Sequence, residues 1–255
     1  MQFPHEKLTV YQKALEFFGD TQGFMVTWSK RHAFVDHLLR ASESILFNLV
    51  EAVRLRHGKK KELMMDYAIG SVLECAACLD IAALKGLVAR MIAVEKKGVL
   101  LELCKMLVGL RNSWHASHLA ESTSEAYETG RRSERRDAVF YHETLDRYVV
   151  ALDFYRWLVS TEAGKRLRDA FERSADTLAT GMLLNIAESN GRYAELSRES
   201  FLDTANAAAA KLATALDMGV RRGIWGATEA ERGKALLVRV GQMTARKDYG
   251  DRCSG

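Results

Sequence analysis

The sequence repeats itself at a constant offset of 137 residues, with no gap introduced. Near the start of each copy the matched pairs are Phe3 and Phe140, His5 and His142, Glu6 and Glu143, and Tyr11 and Tyr148. The same offset still holds much further along, where Leu100 and Met106 match Leu237 and Met243. Because chance does not preserve one offset over such a length, the pattern indicates a tandem duplication of a unit about the size of a small domain.

Very few residues in this chain interrupt helices. It contains one proline, Pro4, and 18 glycines among 255 residues. A protein built from β-strands would need more of these turn-forming residues. With 48% hydrophobic and 27% charged residues, the composition is that of a globular protein. The longest apolar stretch, residues 75–94, is interrupted by charged residues, and the N-terminus lacks the apolar core of a signal peptide. We therefore expect an all-α protein in the cytoplasm, without a membrane span.

The spacing of apolar residues predicts four helices in each copy. Phe34, Leu38, Ala41, Ile45 and Leu49 recur at steps of four and three, which is the apolar stripe of a packed helix. The predicted helices are 6–27, 31–56, 60–86 and 92–114 in the first copy, and 142–162, 166–190, 196–222 and 228–247 in the second. Short connections that contain glycine favour antiparallel neighbours. The sequence therefore predicts two tandem up-down four-helix bundles.

These helices divide the chain into four segments. Residues 1–114 are the first predicted bundle and residues 140–248 the second. Residues 115–139 are rich in Ser, Glu and Arg and poor in large aliphatic side chains, so they are interpreted as a polar linker. Residues 249–255 form a tail.

The chain lacks the sequence patterns of common catalytic and metal sites. Cys75 and Cys78 form a CxxC pair, but the surrounding pattern is helical and alanine-rich, and Cys104 and Cys253 stand apart. Core packing is therefore favoured over metal or redox chemistry. No phosphate-binding glycine loop, nucleophile elbow or HExxH motif occurs. We expect no enzyme activity, no metal and no cofactor.

The second predicted helix carries a recognisable motif. Residues 40–51, RASESILFNLVE, resemble the RAxxSIxxNIAEG signature of the bacterial four-helix-bundle proteins encoded in 23S rRNA intervening sequences, and residues 182–188, MLLNIAE, resemble its centre. The resemblance occurs once in each copy, and together the two matches cover nearly the whole chain outside the linker. That family also includes the accessory variability determinant of diversity-generating retroelements, which binds a reverse transcriptase and its RNA. The resemblance thus implies a helical bundle with RNA or a reverse transcriptase as a partner.

The motif places an amide and a carboxylate on one helix face in each copy. These residues are Asn48 and Glu51 in the first copy, and Asn185 and Glu188 in the second. In the first copy Ser44, Asn48 and Glu51 follow i, i+4, i+7 spacing and form a polar ridge beside the apolar stripe. We interpret them as structural residues that fix helix register and cap a neighbouring turn; direct contact with a ligand is the alternative.

The net charge of +4 is too small to attract nucleic acid over the whole surface, so binding would depend on local basic clusters. The candidate residues are Arg54, Arg56, His57, Lys59, Lys60 and Lys61 between the second and third helices; Arg192 and Arg198 at the corresponding turn of the second copy; Arg131, Arg132, Arg135 and Arg136 in the linker; and Arg221 and Arg222. Such side chains can contact phosphates without sequence preference. The alternative is a solvated loop that keeps the helix ends soluble.

Two functional hypotheses follow from these features. The first is a non-catalytic RNA-binding or nucleic-acid-binding accessory protein that docks on a nucleic-acid enzyme such as a reverse transcriptase. The second is a protein-only scaffold for oligomerisation or interaction, without direct contact to nucleic acid. A homo-oligomer is compatible with both, and the sequence specifies neither the RNA nor the number of subunits.

Overall fold

A computed structural model describes residues 3–56, 58–114, 138–166, 169–191 and 195–245. We call residues 3–114 the first half and residues 138–245 the second half. The first half contains α1 (Thr9–Thr27), α2 (Ala33–Arg54), α3 (Lys59–Leu84) and α4 (Arg90–Ser113). The second half contains α5 (Asp146–Ser160), α6 (Glu162–Arg166), α7 (Ala170–Glu188), α8 (Glu195–Arg221) and α9 (Ala227–Ala245). Three short 3-10 helices span Pro4–Lys7, Tyr141–Thr144 and Ser189–Gly191. The predicted all-α fold is confirmed.

The helix bounds repeat with the offset found in the sequence. The short helices Pro4–Lys7 and Tyr141–Thr144 correspond residue for residue, α2 and α7 begin at matching positions, and α3 and α8 end at matching positions. Gly86 and Gly223 follow the ends of α3 and α8 with the same φ of 69°, a conformation that glycine adopts without strain. The described parts of the halves differ in two elements, because α1 corresponds to α5 and α6 together, and because the short helix Ser189–Gly191 has no counterpart in the first half. The predicted helix 142–162 is thus divided into the short helix Tyr141–Thr144, α5 and α6.

In each half the four long helices form a closed circuit, in which every helix packs on two others. In the first half α1 and α3 each pack on α2 and α4, and in the second half α5 and α8 each pack on α7 and α9. We interpret each circuit as a four-helix bundle. The halves also pack on one another, chiefly α3 on α7, and their buried apolar residues form one continuous cluster.

Helix α3 occupies the centre of this arrangement. It contacts α2, α4 and α7, so it is surrounded on several sides. Small side chains such as Ala76, Ala77 and Ala82 are completely buried and let these neighbours approach closely. Among the described helices, α3 alone is long and apolar enough to cross a membrane by length and composition, and 72% of its most apolar window is buried inside the protein.

The three cysteines in the described part of the chain lie in the core. Cys75 and Cys78 in α3 and Cys104 in α4 are buried and not disulfide-bonded. Burial raises the pKa of all three thiols, that of Cys104 to about 12, because a thiolate is poorly solvated there. Such thiols pack as small apolar side chains and react slowly. Cys253 lies outside the described residues.

Candidate nucleic-acid interface

The strongest local concentration of positive charge lies where α2 passes into α3. We call residues 54–61 the basic turn; Arg54, Arg56, Lys59 and Lys60 are exposed within it. Helix α2 ends at Arg54, and α3 begins at Lys59 after Gly58. Gly58 has a φ of 111°, which strongly favours glycine, so the reversal that exposes these side chains depends on it.

Glu51 organises part of the basic turn. Its two carboxylate oxygens accept hydrogen bonds from Arg54 at 2.9 and 3.0 Å, and one also accepts a bond from the Lys60 ammonium at 3.1 Å. These hydrogen bonds lower the pKa of Glu51 to about 2, and those from Arg54 have the largest effect. Glu51 thereby links the end of α2 to the start of α3, while both cations remain largely exposed.

Lys61 differs from its neighbours because its ammonium is turned into the protein. It donates hydrogen bonds to the carbonyl oxygens of Leu55 at 3.1 Å and Arg56 at 3.5 Å. It also lies 3.7 Å from the centre of the Trp114 ring at the end of α4. Burial lowers the pKa of Lys61. This lysine therefore stabilises the turn, and it is not placed to contact phosphate.

The other candidate cations are distributed over the second half or lie outside the described residues. Arg198 in α8 is half-buried, and Arg221 at the end of α8 is exposed. Arg222 bonds Asp169 at 3.0 Å, and its guanidinium lies 4.6 Å from the centre of the Phe171 ring. The candidates outside the described residues are His57, Arg131, Arg132, Arg135, Arg136 and Arg192.

The asparagines of the sequence motif bond within their own helices. The Asn48 amide donates to the Ser44 carbonyl oxygen at 2.8 Å, and the Asn185 amide donates to the Gly181 carbonyl oxygen at 2.7 Å. Ser44 lies 2.8 Å from the Ser71 hydroxyl and so joins α2 to α3. Glu188 is half-buried at the end of α7. These contacts favour the structural interpretation of the motif.

Sequence reasoning missed two buried polar clusters that join the halves. In one, the Lys97 ammonium lies 2.9 Å from both Asp80 and Glu143, and the Tyr148 hydroxyl donates to Asp80 at 2.8 Å. In the other, Asp176 pairs with Lys85 and accepts a bond from Tyr155. A signal was available, since Asp80 and Lys97 recur as Asp217 and Lys234 at the repeat offset.

The fold and the basic turn define an all-α bundle protein. Within the described residues, no three side chains of the His, Cys, Asp or Glu type come together as a possible metal site. The family described as 23S rRNA-intervening sequence protein matches residues 6–109, so the first half of the chain is similar to this family. The match confirms the resemblance for the first half, and the same resemblance in the second half stays an interpretation. No curated protein and no solved structure matches the chain.

Proposed function

We propose that this protein is a non-catalytic cytoplasmic accessory protein that binds RNA or another nucleic acid through the basic turn. The observation that carries the proposal is the composition of that turn: residues 54–61 hold five lysines and arginines and no acidic residue. Four of these side chains are exposed at one end of the first half. Cations placed in this way neutralise phosphates and release counterions, which gives affinity without base specificity.

Arg56 and Lys59 are the side chains best placed to bind phosphate. Neither forms an ion pair among the described residues, whereas Arg54 and Lys60 share Glu51. The second half carries Tyr193 and Leu196 at the positions of Arg56 and Lys59. We therefore assign the nucleic-acid contact to the first half. This half also contains the residues that match the 23S rRNA-intervening sequence protein family.

The linker arginines extend this proposal. Trp114, the last described residue before the linker, contacts Lys61 and so lies beside the basic turn. The chain thus enters the segment that holds Arg131, Arg132, Arg135 and Arg136 at this corner. From the family resemblance we further propose that a nucleic-acid enzyme such as a reverse transcriptase is the protein partner.

A salt-dependent RNA titration tests the nucleic-acid contact. We expect the full chain to bind a structured RNA, and the double variant Arg56→Gln/Lys59→Gln to bind more weakly, with a log–log salt slope smaller by about 1 to 2. The matched control is Lys30→Gln/Arg31→Gln, which removes the same charge from an exposed connection between α1 and α2. No binding at low salt, or an equal loss in both double variants, would contradict the proposal.

A protein-only scaffold is the second candidate function. It is favoured by two large apolar side chains on the surface of the first half, Phe3 and Phe47, which are 68% and 71% exposed. On this alternative the protein would retain its protein partners after nuclease treatment, and the basic-turn double variant would bind them as the wild type does. Pull-down with a candidate reverse transcriptase, with and without nuclease, separates the two functions.

A further inference from the structure

The four exposed cations of the basic turn are of two kinds. Arg56 and Lys59 form no ion pair among the described residues. Arg54 and Lys60, in contrast, both pair with Glu51. The side chains of these two cations are 67% and 65% exposed, and the Glu51 side chain that bonds both is 29% exposed. A ligand that approaches this pair from solvent therefore meets two cations that already hold an anion.

The Glu51 carboxylate is bound in the way that a phosphate group would be. The Arg54 guanidinium donates from Nε at 3.0 Å and from Nη2 at 2.9 Å, one bond to each carboxylate oxygen. The Lys60 ammonium donates to one of the same oxygens at 3.1 Å. Arginine forms this two-bonded contact with carboxylates and phosphates alike, because both anions present two oxygens that match the guanidinium fork. The carboxylate thus fills the position in which these two side chains would hold a phosphate.

This arrangement depends on residues that only the first half carries together. Glu51 and Arg54 are three residues apart at the end of α2. Gly58 then reverses the chain, so that Lys60 returns to the same carboxylate. At the repeat offset the glutamate is kept as Glu188, but glycine and serine replace the arginine and the lysine. The cations that the glutamate holds therefore belong to the half to which we assign the nucleic-acid contact.

A phosphate has to displace this carboxylate before it can bind Arg54 or Lys60. The carboxylate is charged near neutral pH, since hydrogen bonds from Arg54 and then from Lys60 lower the pKa of Glu51 to about 2. It also belongs to the same chain as the two cations, so its effective concentration beside them is high. Arg56 and Lys59 have no such competitor among the described residues, and they are the cations that bind phosphate first.

We propose that Glu51 is an intramolecular competitor for phosphate, which regulates how tightly the basic turn binds nucleic acid. With the carboxylate in place the turn offers two cations, and once a phosphate displaces the carboxylate the turn offers four. The inference rests on the proposed function for the identity of the ligand, and it assigns an inhibitory role to a residue of the sequence motif. The opposite role is that of a clamp that holds Arg54 and Lys60 ready for RNA, and removal of a clamp would weaken binding.

Fluorescence anisotropy titrations of a labelled RNA hairpin with the full chain, over a range of salt concentrations, test the proposal. We expect Glu51→Gln to bind roughly tenfold more tightly than the wild type at low salt, with a log–log salt slope steeper by about 1 to 2, because two more cations contact phosphate. The matched control is Asp36→Asn, which removes the same charge and releases Arg40 from an ion pair of 2.9 Å. Asp36 lies roughly 22 Å from Glu51 along α2, so this variant should bind nearly as the wild type does.

A double-mutant cycle with Arg54→Gln/Lys60→Gln identifies the cations that Glu51 withholds from the ligand. In that background the carboxylate has neither cation to hold, so Glu51→Gln should lose most of its gain in affinity. A general effect of net charge would instead give the same gain in both backgrounds. Arg54 and Lys60 are exposed and Glu51 is partly so, and we therefore expect the fold to tolerate these changes. Circular dichroism and thermal unfolding verify that each variant is folded.

Inorganic tripolyphosphate, which carries phosphate charge without a base or a sugar, separates this inference from the proposed function. In calorimetric titrations we expect Glu51→Gln to bind tripolyphosphate more tightly than the wild type and Asp36→Asn do. If no variant binds the hairpin but this order holds for tripolyphosphate, the inference stands and the nucleic-acid function fails. If the wild type binds the hairpin and Glu51→Gln binds both ligands no more tightly, the inference is overturned and the nucleic-acid function stands. An equal gain in Asp36→Asn, or a gain that survives in the Arg54→Gln/Lys60→Gln background, also overturns the inference.

Discussion

Lys85, which directly follows α3 of the first half, and Asp176 in α7 of the second half form an ion pair of 2.7 Å, with side chains only 4% and 2% exposed. Asp176 also accepts a hydrogen bond of 2.7 Å from the Tyr155 hydroxyl. Removing one member of such a pair leaves a buried charge without compensation, whereas replacing both with apolar side chains is often neutral. The pair therefore fixes how the two halves are joined.

The Asp176→Asn variant tests this pair. We expect it to lower the free energy of unfolding by about 3 to 5 kcal/mol, measured by denaturant titration, because Lys85 keeps its charge in a buried position. The double variant Lys85→Met/Asp176→Leu should recover most of the loss, and leucine already occupies the equivalent position 39. A single variant that costs less than about 1 kcal/mol, or a double variant no better than the single one, would contradict this account.

The long helices other than 142–162 could be predicted from the sequence to within four residues at each end, but the division of 142–162 and the contact between the halves could not. Steps of three and four between apolar residues depend on the helix alone, and glycines such as Gly86 and Gly223 end helices by their own geometry. The burial of a charge depends on what packs over it. Lys97 and Lys234 pair with equivalent aspartates, yet their side chains are 2% and 27% exposed, because Glu143 and Tyr148 cover only Lys97 and its partner.

The same limit applies to the basic turn. The basic turn was identified in the sequence by consecutive lysines, and such a pattern predicts that all of these lysines are equally exposed. The structure separates Lys59, which is exposed, from Lys61, whose ammonium reaches two carbonyl oxygens and the Trp114 ring. Trp114 is distant from Lys61 in the sequence. The position of the Lys61 side chain therefore depends on the packing of α4 against α3, which cannot be predicted from the residues next to Lys61.

His142 makes stability depend on pH in the acid range. Burial, and secondarily the charge of Lys97, lowers the pKa of His142 to about 3, from 6.5 in an unfolded chain. Below pH 6.5 the unfolded state binds a proton that the folded state does not, so His142 makes the free energy of unfolding fall as pH falls, by about 1.4 kcal/mol per pH unit. His142→Gln should remove this contribution in denaturant titrations between pH 4.5 and 6.5. His5→Gln, at the equivalent but only half-buried position, is the control.

Glu143 acts with the opposite sign. Burial, and secondarily the Asp80 carboxylate, raises its pKa to about 7, and Lys97 offsets only part of this effect. Between pH 4.5 and 7 the folded state holds a proton that the unfolded state has lost, so Glu143 makes the free energy of unfolding fall as pH rises. Glu143→Gln should therefore become more stable relative to the wild type as pH rises from 4.5 to 8. A difference between the two proteins that does not change with pH would contradict the raised pKa.

Gly191 permits a close approach between the backbones of the two halves. A Cβ added there would lie 3.0 Å from the Gly70 Cα and 3.1 Å from a Leu73 methyl group. We expect Gly191→Ala to lower the free energy of unfolding by about 1 to 3 kcal/mol, because the backbones must separate. The control is Gly109→Ala in α4, which has open space and should raise stability by about 0.5 to 1 kcal/mol. Equal effects of the two variants in thermal unfolding would contradict the close contact.

Lys61 and Lys59 should separate the stability of the basic turn from its binding of nucleic acid. Lys61→Ala leaves the Leu55 and Arg56 carbonyl oxygens without the ammonium that bonds them, so we expect the free energy of unfolding to fall by about 1 to 3 kcal/mol. Lys59→Ala removes an exposed charge and should change stability by less than about 0.5 kcal/mol. In RNA titrations under conditions where both variants are folded, we expect the reverse order, with weaker binding for Lys59→Ala and wild-type binding for Lys61→Ala. If Lys61→Ala keeps its stability and loses RNA affinity, then the ammonium contacts phosphate and its assignment as a stabilising residue is wrong.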